Sequence, residues 1–200
     1  MTTNPRINSI LDEANRLFLQ GKLKEAISYY DKILEENPNH LGCLNNKGYA
    51  LSKLKDYDSA LQCYDSALKL DPEDIPVQVN KISSLRKKGD LAEALSLCDK
   101  ILDKNSNYNI ALYHKERILL SMKKFHDSIL CCDKILEDYP NNGDVLFDKA
   151  CNLIKLSQTE KALDSLENSI SQGTQYKVKA KKSKFFEDLT NNSRYQSLIS

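Results

Sequence analysis

Residues 41–74 read LGCLNNKGYALSKLKDYDSALQCYDSALKLDPED, and this stretch decides the fold. From Cys43 to Leu54, Leu44, Gly48 and Leu51 form one stripe at helical spacing. Lys55-Asp56-Tyr57 makes a turn, and Asp58 is placed to cap a second helix by accepting an orphan backbone N–H. That helix carries Ala60, Leu61, Tyr64, Ala67 and Leu68 on its buried side. Asp71-Pro72 ends it, because proline disfavours helix in the residue before it and has no N–H to donate. Gly48 and Ala60 are small where the two helices cross most closely; a large side chain there would cost overpacking strain.

Outward from this stretch the same unit recurs. Ala26, Ala60, Ala94, Ser128 and Ala162 stand 34 residues apart. Leu17, Leu51, Leu85, Leu119 and Leu153 keep that spacing, as do Leu34, Leu68, Leu102, Leu136 and Ile170, and Pro38, Pro72, Ser106 and Pro140. A fixed period of this length means stacked copies of one supersecondary unit, so the 200 residues form one repeat array rather than separate globular domains.

The residues Leu44, Lys47-Gly48, Leu51, Tyr57, Ala60, Tyr64, Ala67 and Pro72 resemble the tetratricopeptide repeat. The first copy fits through Ala14, Leu17, Ala26, Tyr30, Ile33 and Pro38, the third through Leu85, Ala94, Cys98 and Ile101 with Ile82 in the small position, and the fifth through Ala150, Leu153, Ala162 and Leu166. The fourth departs most, with Glu116 in the small position and Ser128 for alanine. Glu116 is either paired with a nearby basic group or a polar contact for a ligand. The resemblance implies an all-α, right-handed superhelical solenoid of five helix hairpins: repeats at 7–40, 41–74, 75–108, 109–142 and 143–174, after a tail at 1–6. A capping segment at 175–200 follows, with a helix over 175–187 and a short helical turn from Tyr195 to Ile199. Ala180, Phe186 and Leu189 are expected to cover the last repeat, with Tyr195 and Leu198 pinning the end.

The resemblance also implies that the first helix of each hairpin lines a concave groove where partners bind. The residues it places there for contact are Asn15, Asn45, Asn46, Tyr49, Asn80, Ser83, Tyr113, His114 and Arg117. Leu11, Asp12, Val79, Lys87, Phe147, Asp148 and Cys151 share that face. Asparagine amides donate and accept, which suits the backbone of an extended peptide, and tyrosine adds apolar area with a polar tip. One subclass of the family grips the C-terminal carboxylate of heat-shock chaperones with a Lys/Asn/Arg clamp. Asn15 and Asn46 match its asparagines, but Leu11, Pro76 and Asn80 stand where its cations belong, which argues against that ligand.

The totals limit other functions. The net charge is +1, so no global field steers the chain to nucleic acid or membrane. The charge is uneven, with six Lys/Arg against two Asp/Glu in 173–200. Lys177, Lys179, Lys181, Lys182 and Lys184 form either a solvated face or a contact for an acidic protein, RNA or anionic lipid, with Tyr176, Phe185 and Tyr195 available for base stacking or for cap packing. No apolar run approaches a membrane span. Cys43, Cys63, Cys98, Cys131, Cys132 and Cys151 fall on repeat positions and read as small apolar fillers, reduced thiols in the cytoplasm.

No catalytic set stands out. His40, His114 and His126 form no metal-binding pair, Cys131 and Cys132 diverge on one helix, and no glycine-rich phosphate loop occurs. Cys151, on an inner helix, is the one candidate for a lone reactive thiol. The chain is therefore expected to be a non-enzymatic scaffold or adaptor that holds an extended segment of another protein. No small-molecule substrate, cofactor or metal is expected, and self-association through its terminal repeats is an alternative.

Overall fold

In a computed structural model, which describes residues 5–200, helices follow one another in hairpins joined by tight turns. They are α1 (Pro5–Leu19), α2 (Leu23–Glu36), α3 (Leu41–Lys53), α4 (Tyr57–Leu70), α5 (Ile75–Lys88), α6 (Leu91–Lys104), α7 (Asn109–Ser121), α8 (Phe125–Asp138), α9 (Gly143–Lys155) and α10 (Thr159–Ser171). A closing segment follows: α11 (Gln175–Lys182), a 3-10 turn (Lys184–Leu189) and α12 (Ser193–Ile199). The contacts divide the chain into two compact units, one ending at Leu97 and one running from Cys98 to Ser200. Of the expected tail at 1–6, Pro5 and Arg6 open α1, and the rest lies outside the described residues.

The period reaches down to single backbone bonds. At every hairpin turn one residue is left-handed: Gly21, Lys55, Gly89, Lys123 and Ser157. The next residue's N–H closes back onto the leucine of the preceding helix, as in Lys22 to Leu17, Asp56 to Leu51, Asp90 to Leu85, Lys124 to Leu119 and Gln158 to Leu153, all at 2.8–3.0 Å. This is the Schellman closure that satisfies orphan carbonyls at a helix end, and it favours glycine at the left-handed position. Three of the five turns make it without glycine.

Helix starts repeat as well. His40 Nδ1, Asp74 Oδ1 and Asn142 Oδ1 accept from the N–H of Cys43, Val77 and Val145, capping α3, α5 and α9. For α4 the cap is Asp56, which accepts from Ser59 N–H at 3.2 Å, and not the expected Asp58. The helix starts at Tyr57, so Asp58 falls inside its first turn, where it pairs with Lys88 at 2.8 Å.

The core follows the small-residue rule. Ala26, Ala60, Ala94, Ser128 and Ala162 are all fully buried. Gly48 lies against the ring of Tyr64, and a Cβ there would stand 2.7 Å from a ring carbon. Ala14 and Tyr30 share the core of the first hairpin, and Ala150 and Leu166 that of the fifth. Where Glu116 replaces the small residue, Cys132 replaces the tyrosine, so the volume is traded across the pair. Glu116 is fully buried and its carboxylate accepts from Ser128 Oγ at 3.3 Å; Asn152 Nδ2 donates to the same hydroxyl at 2.9 Å.

Successive hairpins are joined by an ion-pair ladder. Lys47, Lys81, Lys115 and Lys149, one on each of α3, α5, α7 and α9, reach Asp31, Asp65, Asp99 and Asp133 on the helix before. The next rung would pair Ser183 with Glu167. There Arg194 of α12 takes over, reaching Glu167 at 2.9 Å, Asp164 at 2.7 Å and Glu160 at 3.1 Å.

The closing segment covers the last hairpin as expected, with one change. Ser183 breaks the helix expected over 175–187: its backbone is extended and its hydroxyl accepts from Phe185 N–H. The break turns Phe186 into a core with Phe147, Leu163, Leu166, Tyr176, Ala180 and Tyr195, against which Leu189 and Leu198 pack. Tyr195 stacks on Phe186 at 5.8 Å and donates its hydroxyl to the Ala180 carbonyl at 3.1 Å. No described helix is long and apolar enough to cross a membrane.

Candidate functional site

The first helices of neighbouring hairpins pack side by side within each unit, α3 on α5 and α7 on α9. The side chains expected to meet a partner stand on these helices, and several are already bonded to one another. Asn15 Oδ1 accepts from Tyr30 Oη at 2.8 Å and from Asn46 Nδ2 at 3.1 Å. Asn80 Nδ2 donates to Asn45 Oδ1 at 2.9 Å. In the C-terminal unit Arg117 donates to Asp148 Oδ2 at 3.0 Å and lies over the Tyr113 ring at 4.4 Å. Tyr113 meets His114 edge-on at 6.3 Å. Ser83 is half-buried on α5. These amides and Arg117 therefore bridge adjacent helices, which holds the face rigid and leaves only part of their bonding capacity outward.

In the N-terminal unit this face holds a cleft of about 180 Å³ lined by Asn15, Phe18, Leu19, Tyr30, Asn46 and Tyr49. Phe18 and Tyr49 face each other at 5.5 Å between ring centroids. Leu19 is 84% exposed and Tyr49 36%, so apolar surface is open to solvent beside a polar pair. The sequence reading included Asn15, Asn46 and Tyr49 but missed Phe18 and Leu19. They lie three and four residues after Asn15, one turn on along the same helix, and helical spacing alone could have found them. In the C-terminal unit Tyr113 lines a second cleft of about 310 Å³ with Ile110, Tyr139 and Asn142, where Ile110 and Tyr139 are about half exposed.

The face of the fifth repeat is covered. Phe147, Asp148 and Cys151, placed by the sequence reading on the inner surface, are buried beneath the closing segment. Lys179 of α11 lies 4.2 Å over the Phe147 ring and 3.2 Å from Asp144. Burial lifts the Asp148 carboxyl, while Arg117 and Lys179 pull it back.

The tail offers less than its composition suggests. Lys177 bonds the Ser200 carbonyl at 2.9 Å, and Lys179 is held as described. Tyr176 and Tyr195 are buried, and Phe185 packs on the same core, so these rings are cap residues rather than stacking platforms for bases. Lys181, Lys182 and Lys184 face solvent.

All six cysteines are buried. Burial pushes the thiols of Cys43 and Cys131 up to about 11 and that of Cys98 up to about 12, and drives Cys132 and Cys151 up as well. Cys151 is therefore a protonated core thiol and not the lone reactive thiol considered from sequence. His40 caps a helix and His126 is exposed.

The repeat geometry identifies the class. Residues 17–40 and 43–74 each match the family model of the tetratricopeptide repeat. The chain is a tetratricopeptide repeat protein. Solved structures share the fold: a tetratricopeptide repeat protein from Parabacteroides merdae has a TM-score of 0.83 at 18% identity, over 98% of this chain and 78% of that one. MamA from Desulfovibrio magneticus gives 0.78 at 17%, over 90% and 99%. YrrB, described as a tetratricopeptide repeat protein with an unusual peptide-binding site, gives 0.69 at 20%, over 87% and 91%.

Proposed function

We propose that this protein is a non-enzymatic scaffold of the cytoplasm that holds an extended segment of another protein on the face built by its first helices. The observation that carries this reading is the open Phe18–Leu19–Tyr49 cleft beside the Asn15–Asn46 pair. An apolar anchor framed by fixed amides is what a peptide side chain and its adjoining backbone require. YrrB, which has this fold, is itself described as peptide-binding. Asn45, Asn80 and Ser83 extend the same face, and Tyr113, His114 and Arg117 form its counterpart in the second unit.

The rival reading of stacking through the terminal repeats has less support. Cys43, Val77, Ala111 and Val145 are buried at one repeat position, and Ala50, Ser84, Ile118 and Asn152 at another. In α1 those positions hold exposed Ser9 and Arg16, and Arg16 is tied to Glu13 at 2.6 Å. The corresponding face of the first repeat is thus polar.

The test uses a photoreactive benzoylphenylalanine in place of Tyr49 and, as reference, in place of Leu130, which is 65% exposed on α8. Protein crosslinks in source-cell lysate at position 49 and not at 130 are the expected result. The reverse pattern would contradict the assignment.

A further inference from the structure

Three lysines of α3 and α5 in the N-terminal unit are neutralised. Lys47 meets Asp31, Lys81 meets Asp65 and Glu93, and Lys88 meets Asp58 and Asp90. Lys53 and Lys87 differ. They hold the same repeat position on α3 and α5, both are exposed, and among the described residues no carboxylate lies within ion-pairing distance of either. Lys53 Nζ sits 5.2 Å over the ring of Tyr49, and Tyr49 lines the aromatic cleft. Partial desolvation, then the charge of Lys53, lowers the Lys87 ammonium below its usual range, so the two cations sense each other.

Two like charges at equivalent positions of the packed helices α3 and α5, one of them over the Tyr49 ring of an open apolar cleft, are unfavourable alone and favourable with an anion between them. The anchor must be apolar and a single side chain, since about 180 Å³ between Leu19, Phe18 and Tyr49 accepts one large residue. The anion must be local. Residues 1–97 carry thirteen basic against fourteen acidic groups, so a long polyanion finds no continuing positive track there.

Resting on the scaffold reading above, we propose that the occupant is an acidic peptide segment of a partner protein, whose large apolar or aromatic residue enters the Phe18–Leu19–Tyr49 cleft while a nearby Asp or Glu pairs with Lys53 and Lys87. The partner's identity is thereby narrowed to a chemical pattern: one bulky apolar residue with carboxylates a few positions away.

The experiment selects a displayed library of random dodecapeptides on the full chain and measures recovered peptides against folded variants. The expected motif combines an aromatic or large aliphatic residue with Asp or Glu. Lys53→Gln/Lys87→Gln, at two exposed sites, should weaken those peptides about tenfold at low salt and lose most of that difference at high salt. Leu19→Asp, also exposed, should abolish binding. Recovered peptides without acidic residues, or insensitive to the lysine pair, would overturn this proposal and leave the scaffold reading standing. No enriched peptide would overturn both. A dT20 oligonucleotide bound more tightly than any peptide, and released by the same lysine variant, would overturn it in favour of nucleic acid.

Discussion

Gly48 and Tyr64 are fitted to each other: a methyl group on Gly48 would stand 2.7 Å from the Tyr64 ring, which is fully buried and has nowhere to retreat. The third repeat holds Ile82 and Cys98 at those two positions, and the fourth holds Glu116 and Cys132. A bulky residue in one helix goes with a small one in the other. Gly48→Ile is therefore expected to destabilise the protein by about 2–3 kcal/mol, in the range of overpacking costs. Combined with Tyr64→Cys, the double variant should be at least ~1 kcal/mol more stable than the sum of the single effects. Urea unfolding of the four proteins checks this, and simple additivity would contradict the fit.

Lys123 sits in the left-handed region at φ 60°, where Gly21 and Gly89 serve other turns. A side chain there costs about 1 kcal/mol, partly offset by the greater freedom of glycine in the unfolded chain. Lys123→Gly should raise stability by about 0.5 kcal/mol, read as a rise of one or two degrees in the thermal midpoint. A fall would mean that Lys123 makes a contact worth more than its backbone strain.

Arg194 replaces the missing lysine rung by meeting Glu160, Asp164 and Glu167 together. Arg194→Glu places a fourth negative charge among three. Amide hydrogen exchange should accelerate through α12 and around the Ala180 carbonyl that Tyr195 holds, while α1 to α4 keep their protection. Unchanged exchange in α12 would show that aromatic packing alone fixes the cap.

The buried thiols set an alkaline limit. An unfolded cysteine ionises near 8.5, whereas Cys43 and Cys131 hold their protons to about 11 and Cys98 to about 12. Their folded values are raised, so their contribution is complete below about 8.5 and is lost as pH rises toward the folded values. In that window the unfolded chain binds fewer protons, and each thiol lowers stability by up to about 1.4 kcal/mol per pH unit. Urea midpoints under reducing conditions should fall steadily from pH 8 to 10.5, and less steeply in Cys98→Ala. A flat profile would contradict the buried, protonated state.

Much of this fold is legible in the sequence because each hairpin reuses the same constraints: buried Ala60 and its equivalents, the leucine that closes each turn, and prolines after second helices. The helix caps were less legible. Asp58 reads as the cap in the sequence, and only the helix start at Tyr57 shows that Asp56 takes that role. Ser183 breaks the closing helix because Phe186 gains a core position by turning inward, an effect of distant packing that local propensity does not carry. The candidate site was half legible. The family resemblance pointed to Asn15, Asn46 and Tyr49 as candidates, but the bond between the two asparagines and the burial of Phe147 and Asp148 arise from neighbouring elements.

The central claim is that the face of the first helices receives the partner. The most direct measurement titrates the 15N-labelled full chain with the tightest peptide recovered by display and maps amide and Asn side-chain shifts. Perturbations centred on Asn15, Asn46, Tyr49 and Lys53 are the expected result. Perturbations centred on α2 and α4, with those residues unmoved, would contradict the account.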